Sequence, residues 1–159
     1  FLTIYGIGPV AAAKLYDDHN IKTLKQLQKA SAKDPELLTD GQKIGLKYRE
    51  DFLKRIPYDF INIFQFTVAF CLNETFGETF HLQTAGSFRR QKSTSGDIDI
   101  MLWSDEFTLQ EAIEVLIGYG VIIEVLALDK KKFMGVAKCV GDGETTSVPF
   151  RLDIFMVQE

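Results

Sequence analysis

Apolar positions fall at helical spacing through the first half of the chain and at alternating spacing through most of the second. Ile4-Tyr5-Gly6-Ile7-Gly8-Pro9 reads as a two-glycine turn, with Pro9 suited to the first turn of a helix that Val10 to Tyr16 continue. A second helix is predicted over Leu24–Ala30, with Thr23 as its N-cap. Helical pattern returns over Leu37–Leu53, with a break at Asp40-Gly41. Pro57 opens a long helical segment to Phe76, in which Phe60, Ile63, Phe64, Thr67, Val68 and Cys71 recur at three- and four-residue steps.

The period then changes. Phe80–Ala85 reads as a strand, and Asp97 to Trp103 alternates before turning apolar. Leu109–Tyr119 is a predicted helix, started by Thr108 or Asp105. Val121–Leu126 is β-branched and apolar, and Lys132–Val140 and Val148–Val157 are two further strands around Gly141-Asp142-Gly143. Helices followed by mainly β structure predict an α+β fold with a helical subdomain first and a β-sheet subdomain behind it.

Bulk properties narrow the classes. Hydrophobic residues are 46% of 159, enough for a packed core, and thirteen Phe predict that the core is aromatic. Cys71 and Cys139 show no paired spacing and read as free thiols; His19 and His81 are isolated, which argues against zinc. No apolar run approaches the roughly 20 residues that span a bilayer. The chain opens on Phe1 with no initiator Met, which reads as a cut-down segment. Its net charge of −4 is unevenly spread: residues 1–55 hold ten Lys/Arg and seven Asp/Glu, leaving eight and fifteen for residues 56–159. A basic first third beside an acidic remainder suits a polyanion-holding part next to a cation-binding part, and is also compatible with ordinary surface scatter.

The strongest local signal is Gly86-Ser87-Phe88-Arg89-Arg90 followed, six residues on, by Asp97-Ile98-Asp99. Residues two apart on a strand share a face, so Asp97 and Asp99 place two carboxylates side by side. Their repulsion is relieved by a cation between them, and hard oxygen ligands suit magnesium. Asp153 stands in the later strand Arg151-Leu152-Asp153-Ile154-Phe155; if that strand lies beside the first, three carboxylates can hold two magnesium ions, the arrangement used in phosphoryl transfer. Upstream, Gly86 lets backbone approach a phosphate, Ser87 offers a hydroxyl and Arg90 a charged fork, while Ser95-Gly96 supply backbone N–H groups for an anion nest. An isolated Asp-x-Asp is usually a surface turn; the spacing of all these parts together resembles the signature of the nucleotidyltransferase superfamily.

Gly6-Ile7-Gly8 resembles a helix-hairpin-helix, in which glycines bring the chain near a phosphate and the next helix offers N–H groups to it. Such a contact positions a duplex without reading its sequence. Lys43 and Lys47 either add phosphate contacts or form a solvated helix face, and Arg49 reads as solvated.

Together these residues resemble the family X DNA polymerases, most closely their beta and lambda branch, almost end to end. Phe1–Pro9 resembles the start of the helix-hairpin-helix. Lys43 to Tyr48 and Asp51 to Pro57 resemble the approach to the palm, and Lys132-Phe133-Met134-Gly135-Val136 a palm strand. The resemblance implies a helix-hairpin-helix DNA-binding subdomain over 1–56 and a nucleotidyltransferase palm with a mixed sheet over 57–159. Asp97 and Asp99 would bind both metals, magnesium or in its place manganese. Asp153 would bind the catalytic metal and help activate the primer 3′-hydroxyl. Gly86, Ser87, Arg90, Ser95 and Gly96 would hold the incoming triphosphate, and Arg151 would orient Asp153 at the primer terminus. Carbonyls of Leu2, Ile4 and Ile7 would hold Na⁺ or K⁺ beside the DNA-contacting Gly6 and Gly8.

The implied activity is DNA-directed DNA synthesis in short-gap repair, by a monomer acting on gapped or primer-template DNA and deoxynucleoside triphosphates. Repair ligase or scaffold proteins would be partners, with no membrane association and a nuclear location in a eukaryote, intracellular elsewhere. Rival readings are another nucleotidyltransferase or a non-catalytic DNA-binding module. Gln91 departs from a common Gly and Phe150 from a common basic residue. The family's upstream lyase domain and its downstream nucleotide-closing subdomain have no counterpart in this sequence, so the segment is expected to depend on them for activity.

Overall fold

The computed structural model describes residues 1–86, 94–139 and 148–157. Ser87, Arg90 and the Gly141–Gly143 loop lie outside the described residues. The chain divides into two compact units, Phe1–Leu53 and Lys54–Glu159. That division falls three residues before the one read from the sequence, because Ile56 and Pro57 pair with Ser95 and Thr94 of the second unit.

The first unit is helical: α1 (Pro9–Asp17), α2 (Leu24–Lys33), α3 (Asp40–Lys47) and α4 (Arg49–Leu53). Phe1–Gly8 form turns, with Ile4 N–H donating to Phe1 O and Ile7 N–H to Ile4 O, both at 3.1 Å. Pro9 begins α1, and Thr23 caps α2 in a reciprocal box with Gln26. Asp40-Gly41 is not a break inside a helix. Thr39 and Gln42 form a second capping box that starts α3 at Asp40, and the interruption falls instead at Tyr48. Leu38 is thereby left in the turn before α3, where it joins Ile4, Ile7, Leu15, Ile21 and Leu27 in a small core.

α3 crosses the Phe1–Gly8 turns at very short range. A Cβ on Gly45 would overlap the Tyr5 carbonyl oxygen and lie 2.9 Å from its carbon, so only glycine fits there. Gln42 Nε2 donates to Gly6 O at 3.1 Å, and Gly6 itself takes φ +88°. Arg49, expected to be solvated, donates through Nε to Thr3 Oγ1 at 2.8 Å.

The second unit carries β1 (Ile56–Pro57), α5 (Tyr58–Phe76), β2 (Phe80–Ala85), β3 (Thr94–Ser95), β4 (Asp97–Ser104), α6 (Leu109–Gly118), β5 (Ile122–Leu128), β6 (Lys132–Ala137) and β7 (Phe150–Met156). Of the two candidate starts for α6, Thr108 is the cap, boxed with Glu111. The main sheet runs β2-β4-β7-β6-β5, antiparallel except for the parallel pair β4–β7, so the unit is α+β with a mixed sheet. Ile98, Ile100 and Leu102 of β4, with Leu152 and Ile154 of β7, bury against Phe64, Val68 and Leu72 of α5 and Ile113 and Leu116 of α6. Phe150 packs edge-on against Phe64 with centroids 4.9 Å apart. Since strand side chains alternate, helices on one face of the sheet leave Asp97, Asp99, Arg151 and Asp153 on the other. Among the described residues no helix is long and apolar enough to cross a membrane.

Candidate active site

The parallel register β4–β7 sets Asp97 opposite Arg151 and Asp99 opposite Asp153. Two steps along β4 and one step across to β7 therefore bring three carboxylates to one place. Asp97, Asp99 and Asp153 each present a carboxylate oxygen, and these oxygens lie within 4.8 Å of one another. A sequence separation of more than 50 residues is closed by the strand pairing alone.

Arg151 is buried beside them. Its Nη2 donates to Asp153 Oδ1 at 2.7 Å, and its Nη1 donates to the Gly135 and Leu152 carbonyls. Asp153 is thus held through Oδ1 while Oδ2 makes no hydrogen bond among the described residues. Gly135 is required in its own right, since a Cβ there would overlap the Phe133 ring and Glu124 O.

Gly86 closes the site from above. It has φ +67°, and a Cβ on it would stand 2.7 Å from Asp99 Oδ2, so the chain turns directly over that carboxylate. Ser95 and Gly96 behave differently from expectation. Ser95 is only 2% exposed, its backbone lies in β3 against Ile56, and its hydroxyl donates to Asp97 O at 2.8 Å. Gly96 is not left-handed, so the alternating backbone of an anion nest is not formed at that pair. Their visible work is to fix the start of β4. Arg55, not singled out from the sequence, assists by donating to Thr94 Oγ1 and Thr94 O, each at 3.3 Å.

Crowding shows in the acidities. Asp99 is pushed up to about 6, first by burial, then by the Asp97 and Asp153 charges, against the opposing pull of Arg151 and Lys132. Asp97 keeps an open side to solvent yet is also raised, by the nearby protein mass first and by Asp153 second. Lys132, whose ammonium lies 5.2 Å from the Phe155 ring centre, is a second group the sequence reading left without a role here. Only the β6–β7 register, Lys132 beside Phe155, reveals it. Three oxygen donors that repel one another and are only partly offset by Arg151 and Lys132 fit a hard divalent ion, and magnesium most directly.

In metal-free protein the raised pKa of Asp99 is a stability term of known sign. A carboxylate whose folded pKa lies above its ordinary value supports folding at low pH and loses that support as pH rises from about 4 through about 6. Asp99→Asn should therefore stabilise the chelator-treated chain by about 1–2 kcal/mol at about pH 8, after discounting for solvent screening. It should give almost nothing at about pH 4, and magnesium should reverse the ranking by binding only the parent chain. Urea titrations at both pH values check this; an equal gain at each would leave the change unrelated to charge.

On the Phe1–Gly8 turns, the Ile4 carbonyl accepts Ile7 N–H, while among the described residues the Leu2 and Ile7 carbonyls accept no backbone bond outside regular elements. Gly8 caps α1 without a side-chain bond, and a Cβ there would meet nothing within 4 Å. Among the described residues, the Phe1–Gly8 turns lead directly into helix α1.

Known proteins align with both units. A family described as "Fingers domain of DNA polymerase lambda" matches residues 1–53, and one described as "DNA polymerase beta palm" matches residues 55–159. DNA polymerase lambda of Arabidopsis thaliana is 35% identical over 102 residues, which is 64% of this chain and 18% of that protein. DNA polymerase lambda of Rattus norvegicus is 26% identical across 99% of this chain and 27% of its own length. The chain thus spans well under a third of these relatives.

Proposed function

Because this chain belongs to the family X DNA polymerases, we propose that it is the DNA-holding and catalytic core of a DNA-directed DNA polymerase that fills short gaps during repair. The observation that carries this is the convergence of Asp97, Asp99 and Asp153, whose carboxylate oxygens lie within 4.8 Å of one another on the sheet face opposite the helices. Asp97 and Asp99 are the pair best placed to share both cations, and Asp153 completes the set. Two magnesium ions, replaceable by manganese, supply charge stabilisation for the attacking and leaving oxygens when bound.

The residues of the chain then have distinct tasks. Arg151 fixes Asp153 through Oδ1, leaving Oδ2 to receive the primer 3′-hydroxyl as it gives up its proton. The 3′-oxygen forms its bond to the α-phosphorus as the bond to pyrophosphate breaks. Gly86 lets the triphosphate approach Asp99, and Ser87 and Arg90 contact its oxygens. In the first unit, Gly6 and Gly8 allow a DNA phosphate near the turns, with Leu2, Ile4 and Ile7 carbonyls holding Na⁺ or K⁺. The substrates are gapped or primer-template DNA and deoxynucleoside triphosphates. The protein works as a monomer with ligase or scaffold partners, in the nucleus of a eukaryote.

Primer extension on a one-nucleotide gap tests this, using the natural polymerase that contains this segment. Magnesium-dependent addition of the templated nucleotide is expected, and addition that ignores the template would sink the proposal. The segment alone should bind DNA weakly and without sequence preference. With net charge −4 it displaces few counterions, so its log–log salt slope should be shallow, on the order of −2. A steep slope measured by fluorescence anisotropy would place the DNA on a more basic surface than the turns provide.

A further inference from the structure

Helix α5 is apolar on two sides. Ile61, Phe64, Val68 and Leu72 enter the core of the second unit, while Ile63, Phe66 and Phe70 are 59%, 66% and 59% exposed. One apolar line accounts for the packing of α5 on its own unit, and an exposed aromatic ridge beside it is the kind of surface that marks an interaction site. The ridge is regular. Asp59, Ile63, Phe66, Phe70 and Glu74 follow at steps of 4, 3, 4 and 4, a single line along the helix about 22 Å long. Asp59 and Glu74, both exposed, close its two ends, and α5 contains no Lys or Arg.

From this charge pattern we propose that the α5 ridge is a docking surface for an amphipathic helix of a partner protein, one with an apolar seam and Lys or Arg at both ends. Steps of 3 and 4 suit packing against a second helix, in which the partner's apolar side chains fill the spaces between Ile63, Phe66 and Phe70. The acidic ends decide between occupants. A second copy of this chain paired in parallel would set Asp59 on Asp59 and Glu74 on Glu74. Paired antiparallel, it would set Asp59 on Glu74. Either way like charges meet with no cation on α5 to offset them, whereas basic ends on a different helix meet both favourably. The surface lies on the helical side of the sheet, opposite Asp97, Asp99 and Asp153, so an occupant there leaves the carboxylates open.

The test uses two fluorescein-labelled model helices of about 18 residues, leucines at the same 3–4 spacing and the other positions lysine in one, glutamate in the other. The lysine peptide should bind this chain at least about tenfold more tightly than the glutamate peptide. Phe66→Ser with Phe70→Ser, both at exposed positions, should weaken it by about tenfold or more with the thermal unfolding curve retained. Asp59→Asn with Glu74→Gln should weaken it severalfold and flatten its salt dependence, which keeps the proposal testable even if the phenylalanine pair disturbs folding. Binding indifferent to both double substitutions would overturn it. So would sedimentation showing a dimer that the phenylalanine pair dissolves, because the ridge would then belong to a second copy.

Discussion

Asp153→Asn, placed in a natural polymerase that contains this segment, should lower the single-turnover rate of insertion into a one-nucleotide gap by roughly a hundredfold or more. Asparagine keeps the shape of the side chain and can still accept from Arg151, so β7 should keep its register beside β4. What disappears is one of the three negative charges gathered within 4.8 Å. The catalytic cation then binds poorly, and the primer hydroxyl has no carboxylate to take its proton. Nucleotide affinity should change far less, since Asp97, Asp99 and the triphosphate contacts remain. Loss of the Asp153 charge should also relieve Asp97 and Asp99, both of which it holds upward, and move their titration toward ordinary carboxylate values. That shift, followed by NMR in the metal-free chain, separates an electrostatic role from a structural one. A near-normal insertion rate would make Asp153 a strand residue only.

How far this site was legible in the sequence depends on the range of each interaction. Asp97 and Asp99 could be paired from strand periodicity alone, because spacing two on a strand fixes a shared face. Their meeting with Asp153 needed a parallel register between strands more than 50 residues apart, which the motif implied and periodicity could not. Thr23 is legible as a cap, with Gln26 three residues on; Thr39 and Gln42 have the same spacing, but Gly41 between them reads as a breaker and masks it. Ser95 misled for a different reason. It reads from the sequence as a backbone N–H donor, whereas the pairing of its strand with Ile56 and the bond from its hydroxyl to Asp97 O tie it to the start of β4. A pair of two-residue strands leaves almost no periodic trace. Arg55 and Lys132 were equally hidden: their relevance comes from Thr94 and from the neighbourhood of Asp99, not from any pattern around them.

The first unit offers the sharpest contrast between glycines that the fold requires and glycines that it does not. Gly45→Ala should destabilise that unit by about 3 kcal/mol, because the new methyl meets backbone, the Tyr5 carbonyl, instead of a side chain that can swing away. Gly8→Ala should change stability by no more than about 0.5 kcal/mol, since its Cβ points into open space and the N-cap uses no side-chain bond. Their effects on DNA should not follow their effects on stability. If the Phe1–Gly8 turns face a phosphate, Gly8→Ala fills the space the phosphate approaches, and affinity should fall severalfold in a chain that melts normally. Gly45→Ala displaces the turns from beneath, through Tyr5 and the Gly6 carbonyl that Gln42 holds, and should weaken DNA binding by about tenfold or more in whatever fraction stays folded. Denaturant titration and anisotropy on the same two variants give both readings. Unchanged DNA affinity in Gly8→Ala would move the phosphate contact away from this turn, and unchanged stability in Gly45→Ala would mean that α3 does not cross Tyr5 at the separation seen here.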